Sequence, residues 1–163
     1  MRRRRKNIQG KGVIPLEKVI KAENEKKKEY LRQYRNHVQR IKRIESDLEE
    51  IRIMKRYPSM SSDGMPHGSN GSDLSQYAAV LDSKERELTK ERYLRTKGYL
   101  ETSKQIDLLE NDKEKDVLHY RYIKGLDWWE IAEKMHYTEN WIHKIHGKAL
   151  IHFELPKEYI EIK

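Results

Sequence analysis

Apolar residues recur along the C-terminal third of the chain in a pattern that predicts two helices. The first has its apolar residues at positions i, i+3, i+4 and i+7, which places them on one helical face: Trp128, Ile131, Ala132 and Met135. The second has a similar stripe, made of Trp141, Ile142, Ile145, Ala149 and Phe153. We therefore expect both helices to pack one face against a shared core.

Polar residues at the ends of these segments predict where each helix begins. Asp127 and Glu130 have the spacing of a capping box, and Thr138 is a good N-cap for the second helix. Only His136 and Tyr137 remain for the connection. The stretch from Asp127 to Phe153 is therefore predicted to be two helices joined by a tight turn.

Two much longer helices are predicted before this stretch. No Gly or Pro interrupts Leu16–Tyr57, and a helix of that length would span about 60 Å. Its apolar residues follow a 3-4 spacing that Glu45 interrupts: Leu31, Tyr34, Val38, Ile41, Ile44, Leu48 and Ile51. A capping box at Asp73 and Gln76 opens a second helix through about Leu109. Its apolar residues are Leu74, Tyr77, Ala78, Leu81 and Leu88, then Ile106, Leu108 and Leu109 after an interruption by Gly98.

These elements predict an all-α protein in four parts. Residues 1–15 form a flexible basic arm, and residues 16–110 form a long, coiled-coil-like antiparallel hairpin with a loop at 58–73. Residues 111–155 form a compact module of three short helices, at about 112–124, 127–135 and 138–153. The first of these begins at an Asn111/Glu114 capping signal and is closed by Gly125. Residues 156–163 are a tail.

Composition excludes several classes of protein. Charged residues make up 38% of the chain and apolar residues 36%, with one Phe, so the whole chain cannot form one large core. The absence of cysteine excludes disulfides and zinc fingers with thiolate ligands. The sequence has no apolar run long enough to cross a bilayer, and the basic start lacks the apolar part of a signal peptide, which predicts a cytoplasmic protein without membrane contact.

The net charge of +8 is concentrated at the N-terminal end. Residues 1–57 hold 19 Lys and Arg against 8 Asp and Glu, whereas residues 111–163 hold 9 against 10. Any long-range attraction to nucleic acid must therefore come largely from the N-terminal half. The run Arg2, Arg3, Arg4 and Arg5 is predicted to contact phosphates, with a merely solvating tail as the alternative.

Several local features of residues 119–150 occur together in one known family. Arg121 and Tyr122 precede the Gly125 turn, Trp128 opens the next helix with Glu130, and His146 to Leu150 close the second. In these features the chain resembles region 4 of the sigma-70 family. It resembles more closely the phage-encoded transcription regulators of low-GC Gram-positive bacteria that contain this region. Its Met65-Pro66-His67-Gly68 loop and the following Ser72-Asp73 also resemble those regulators, including late-operon activators of the autolysin-regulator and RinA type. The resemblance covers roughly Tyr30 to Phe153.

The resemblance implies a regulator of phage or prophage genes, working in the bacterial cytoplasm on double-stranded DNA. It also names RNA polymerase as a second candidate partner, and it implies that the second helix of the pair enters the major groove. One departure is His136, which stands where such turns usually carry Gly. A left-handed residue there would be strained, so the sequence predicts a less tight turn.

Helical periodicity predicts which residues of the second helix would face DNA. Opposite its apolar stripe lie Asn140, His143, Lys144 and Gly147. Asn pairs well with adenine, Lys with guanine or phosphate, and Gly would let the backbone approach closely. Glu139 could accept from cytosine, and Thr138 and Lys148 suit phosphates. The alternative for each residue is an ordinary solvated position. Trp128 and Trp141 are predicted to pack in the core, and Trp129 to form the rim of a polymerase or dimer contact.

Three other interpretations compete with a DNA-binding regulator. No catalytic constellation, phosphate loop or cofactor motif is present, and His136, His143, His146 and His152 lack the spacing of a metal site, so no enzyme or metal centre is predicted. A phage small terminase subunit would also join a helix-turn-helix to helical oligomerisation segments. A purely structural coiled-coil protein would show no sequence preference. The stripe from Leu31 to Ile51 further predicts either folding back or homo-oligomerisation through the long helices.

Overall fold

The computed structural model of the chain describes residues 16–56 and 71–156. The basic arm with Arg2 to Arg5, most of the 58–73 loop and nearly all of the tail lie outside these residues. Within the two described ranges every regular element is helical, which confirms the all-α class. A long first helix leads by way of a second into a compact module of short helices.

The two long helices, α1 (Leu16–Arg56) and α2 (Gly71–Asp107), run antiparallel. His37 pairs with Glu91 at 2.7 Å, and Asp47, further along α1, pairs with Lys84, which comes earlier in α2, at 2.8 Å. Because α2 begins at Gly71, Asp73 lies inside the helix and the predicted start there was wrong by two residues.

The predicted apolar seam of the hairpin is largely confirmed. The buried positions include Leu31, Ile41, Ile44, Leu48, Leu88, Ile106 and Leu109. Two predicted members are exposed: Ala78, on the outer side of α2, and Leu108, which follows the last residue of that helix. Gly98, which looked like an interruption, faces α1: a Cβ added there would lie 3.8 Å from the Tyr34 Cα. The seam therefore continues through the glycine as a close approach of the two helices.

The third predicted helix is not uniform. Helix α3 (Asp112–Leu118) passes directly into a π-helix, His119–Lys124, which Gly125 ends in the left-handed conformation at φ 74°. Asn111 caps α3 as predicted, since its side chain accepts from the Lys113 amide at 3.0 Å. Glu114 does not complete the predicted capping box; its buried carboxylate pairs instead with His152 at 2.8 Å.

The last two helices, α4 (Trp128–Met135) and α5 (Glu139–His152), form the predicted helix-turn-helix. The Glu130 carboxylate accepts from the Asp127 amide at 2.6 Å, and the Thr138 hydroxyl accepts from the Trp141 amide at 3.4 Å, so both predicted N-termini are confirmed.

The turn between α4 and α5 is tighter than predicted. His136 has φ 57° and ψ 43°, the left-handed conformation that its side chain disfavours. The Tyr137 amide donates to the Ala132 carbonyl at 2.9 Å and the His136 amide to the Glu133 carbonyl at 3.2 Å, which is a Schellman ending. These two hydrogen bonds and the packing of both helices hold a conformation that the sequence disfavours.

The core consists of apolar clusters that cross the boundaries between elements. One cluster joins α1, the end of α2, α3 with the π-helix, and the end of α5: Tyr30 and Leu31, Ile106 and Leu109, Leu118, Tyr122 and Ile123, and Ala149, Leu150 and Phe153. A second, within the module, is built around Val117, Ile131, Ala132, Ile142 and Ile145. Among the described helices, none has the length and apolar character needed to cross a membrane.

Candidate nucleic-acid interface

Helix α5 has a buried face and an open one. Buried are Ile142, Ile145, His146, Ala149 and Leu150, which anchor it to α1, α3 and α4. All seven residues of this segment predicted to face DNA lie on the outward side. Thr138, Glu139, Asn140, His143, Lys144 and Lys148 are exposed, and Gly147 is half-buried. The module therefore holds the second helix rigidly and leaves these side chains free to contact a partner.

Two further observations concern the outward face of α5. A Cβ added at Gly147 would meet no atom of the described residues within 4 Å, so none of their contacts requires a glycine at this position. Trp141 is 46% exposed, so the prediction that it packs in the core was wrong. The buried stripe of α5 includes His146 and Leu150 instead of Trp141. The Lys144 ammonium lies 5.7 Å from the centroid of the Trp141 ring.

The other two tryptophans have different environments. Trp128 is half-buried, as predicted for a core residue, with its ring centroid 4.6 Å from that of His143 and 4.9 Å from that of His146. Trp129 is 57% exposed, and its predicted role at a contact rim stays a prediction.

A cleft of about 500 Å³ opens between α1 and the helix-turn-helix, beside the outward face of α5. Three cationic side chains of α1 line it, Lys28, Arg32 and Arg35, spaced to share one helical face. Arg121 of the π-helix and His143 of α5 line the opposite wall. Positively charged side chains of α1 and of the C-terminal module, far apart in sequence, therefore line one cleft.

The π-helix and its glycine position the guanidinium groups of the cleft. Arg121 donates to the Leu126 carbonyl at 2.8 Å, pairs with Asp127 at 3.2 Å and lies 4.6 Å from the centroid of the Trp128 ring. Arg35 donates to the Lys124 carbonyl at 3.4 Å and lies over Gly125, where any Cβ would overlap its guanidinium. Gly125 is therefore favoured by its left-handed backbone conformation, and a side chain there would also displace the Arg35 guanidinium.

The floor of the cleft is a buried polar pair. The Tyr122 hydroxyl and His146 Nε2 share a hydrogen bond of 3.0 Å. Burial raises the pKa of Tyr122 to about 12. Burial lowers the pKa of His146 to about 4, and repulsion from Lys28, His143, Arg121 and Arg32 adds to the effect. His146 is therefore neutral at pH 7 beneath a strongly positive rim.

Sequence reasoning missed the residues of α1 that line the cleft. It assigned electrostatic attraction to the N-terminal half in general and named only the arm, whereas Lys28, Arg32 and Arg35 are the cations that lie beside α5. Their i, i+4, i+7 spacing was a usable signal, since it predicts one basic face on α1. Within the described ranges no three His, Asp or Glu side chains are grouped as a metal site. His143 is exposed and His146 is buried, and both rings lie against Trp128.

Known proteins give no further information about the function of this site. No family model, no curated protein and no solved structure matches the chain. What the protein does must therefore be inferred from the outward face of α5 and the basic cleft beside it.

Proposed function

We propose that this protein is a sequence-specific DNA-binding regulator of transcription that places α5 in the major groove of double-stranded DNA. The observation that carries the proposal is the division of α5 into an anchored face and an outward face that offers Asn140, His143 and Lys144. A helix in the major groove reads bases through amide and ammonium groups of this kind, and a helix-turn-helix holds it there. The resemblance to sigma-70 region 4 favours phage or prophage promoters as targets and RNA polymerase as a second partner.

The charge distribution indicates that base contacts and electrostatic attraction come from different parts of the chain. Residues 111–163 are near neutral, so α5 supplies base contacts rather than strong attraction. Residues 1–57 carry the excess positive charge that attracts a polyanion and makes its binding depend on salt. The arm with Arg2 to Arg5 is one source of this charge in the proposal, and α1 is the other.

The test begins with selection of bound sequences from a random duplex library. The full-length protein should enrich one motif. Asn140→Ala should relax preference at one base pair by about 1–3 kcal/mol, and Lys144→Ala should weaken binding to the motif. Lys90→Ala is the matched control for Lys144→Ala, since Lys90 is an exposed lysine of α2. Enrichment of no motif would contradict sequence-specific binding and favour a structural coiled-coil protein.

A second measurement separates regulation from packaging. Templates that carry the selected motif are transcribed by a bacterial RNA polymerase with and without the protein. A change in transcript yield that requires the motif and is lost in Asn140→Ala is the expected result. A ring-shaped oligomer on the motif with no effect on transcription would instead favour the small terminase class.

A further inference from the structure

The cleft between α1 and the helix-turn-helix has an excess of charge that the described residues do not neutralise. Its lining includes four permanent cations, Lys28, Arg32, Arg35 and Arg121, against a single carboxylate, that of Asp127. Asp127 pairs with Arg121, and Glu25, outside the cleft, pairs with Lys28 at 2.8 Å. Arg32 is exposed, and no hydrogen bond or ion pair joins it to the described residues; the nearby Glu25 carboxylate, which attracts it electrostatically, is already paired with Lys28. Like charges held this close together repel unless an anion lies between them.

The buried floor of the cleft carries no charge of its own. Burial is the main reason that the pKa of His146 is low, and the positive charges of Lys28, Arg121 and Arg32 disfavour its protonation further. A neutral imidazole and a neutral phenol leave the floor uncharged, so the one carboxylate that an anion would meet in the lining is that of Asp127, which is paired with Arg121. Arginine guanidinium groups also match the geometry of phosphate oxygens better than ammonium groups do.

The position of the cleft indicates which anion would enter it. His143 belongs both to the cleft and to the outward face of α5, so the cleft opens at the edge of the surface that would enter the groove. The sugar-phosphate backbone forms the edges of a major groove, about 12 Å apart. A phosphate of the strand that passes α5 on this side would therefore lie in front of Arg32 and Arg121.

We propose that this cleft is a phosphate-binding site, in which Arg32 of α1 and Arg121 of the π-helix hold one backbone phosphate of the DNA that α5 reads. This inference rests on the proposed function. It assigns to the long hairpin a direct part in binding: α1 reaches the DNA through its Lys28, Arg32 and Arg35 face and fixes the register in which α5 lies. The shared chemistry is a phosphate group, which a free phosphorylated ligand could also supply.

The test compares two arginines of the same helix in the full-length protein. Arg32→Gln removes a cation of the cleft, and Arg43→Gln removes an exposed cation about 16 Å further along α1. Binding to the selected duplex is measured across a range of salt concentrations. Arg32→Gln should weaken binding about tenfold at low salt and lower the slope of log K against log salt by about 0.9. Arg43→Gln should leave both quantities near the wild-type values.

The outcomes separate the cleft from the proposed function. If the wild type binds DNA and the two variants lose the same affinity, the phosphate site is wrong and the function stands. If the wild type does not bind DNA, inorganic phosphate is titrated at constant ionic strength while the Arg121 and His143 side-chain resonances are followed. Shifts that Arg32→Gln abolishes would keep the phosphate site and reject DNA as its source. An absence of shifts would overturn both proposals.

Discussion

The ammonium of Lys27 donates to the carbonyl oxygen of Leu150 at 2.8 Å, across 123 positions of sequence. It also donates to the Ile151 carbonyl at 3.3 Å and lies 3.4 Å from Glu23. The last carbonyls of a helix lack partners within that helix and carry its negative end. A buried lysine of α1 therefore closes the C-terminus of α5, the helix proposed to read DNA.

Lys27→Met should destabilise the protein by about 2 kcal/mol, because it leaves a buried carbonyl without a donor and removes a cation from a helix C-terminus. Urea unfolding followed by circular dichroism measures the change. Lys26→Met is the control, since Lys26 is exposed on the next position of the same helix. Equal effects of the two substitutions would mean that the contact with Leu150 adds no stability.

Substitution of His136 tests the strain in the turn between α4 and α5. A non-glycine residue in the left-handed conformation costs roughly 1–2 kcal/mol, part of which glycine loses again through the entropy of its unfolded chain. We therefore expect His136→Gly to be more stable than His136→Ala by about 1 kcal/mol. Both variants lack the exposed imidazole, so its loss does not affect the comparison between them. Thermal unfolding measures the difference in their stability. Equal stability would show that the turn is not strained.

Gly98 and Gly125 should respond in opposite directions to alanine. At Gly98, inside α2, an added Cβ would make ordinary contacts at 3.8 Å and beyond, so Gly98→Ala should stabilise the protein by about 0.5–1 kcal/mol through helix propensity. Gly125→Ala should destabilise it by about 1 kcal/mol because its φ of 74° is a conformation that alanine disfavours. Chemical denaturation of both variants checks the sign.

Gly147→Ala should separate stability from DNA binding. An added Cβ meets nothing within 4 Å in the protein, so the variant should gain up to about 1 kcal/mol of stability. In the complex the same methyl group would lie where the α5 backbone approaches DNA, so affinity for the selected duplex should fall. Gly98→Ala is the matched control, with a similar gain in stability and unchanged affinity. A Gly147→Ala variant that binds as tightly as the wild type would place α5 further from the bases.

The buried His146 predicts how stability depends on pH. Its folded pKa of about 4 lies below its unfolded value of 6.5, so between these values the unfolded chain binds more protons. Its contribution is therefore fully present above pH 6.5 and is lost as pH falls towards 4, by about 3 kcal/mol in total. Unfolding free energies of the wild type and His146→Gln, measured from pH 7.5 to 4, should converge on acidification. A constant difference between them would contradict this assignment.

Local signals predicted the helix-turn-helix well. Asp127, Glu130 and Thr138 act within a few residues of their partners, so their capping roles could be inferred from spacing alone. Trp141 was misplaced because periodicity locates a stripe but not which of its flanks a neighbouring helix covers. His136 was misjudged because tertiary packing holds a backbone conformation that its own preference opposes.

The cleft depended on a relationship that local patterns do not contain. Arg32 and Arg121 are far apart in sequence and come together only because Tyr30 and Leu31 pack beside Phe153 and Leu150. The antiparallel hairpin could be predicted from the apolar seams of its two helices. Which face of α1 lies beside α5 could not be predicted in this way. The candidate base-contacting residues were therefore accessible from the sequence, and the candidate phosphate site was not.

The apolar cluster that joins Leu31, Ile106, Leu118 and Phe153 bears on how far this protein can be divided. A fragment that begins at residue 111 would keep the whole helix-turn-helix but expose the side of α5 and Phe153 that α1 and α2 cover. We expect such a fragment not to fold. Helix α5, which we propose reads DNA, could therefore not be moved alone onto another protein. A variant designed to change the proposed DNA specificity would have to alter surface residues of α5 and keep the hairpin in place.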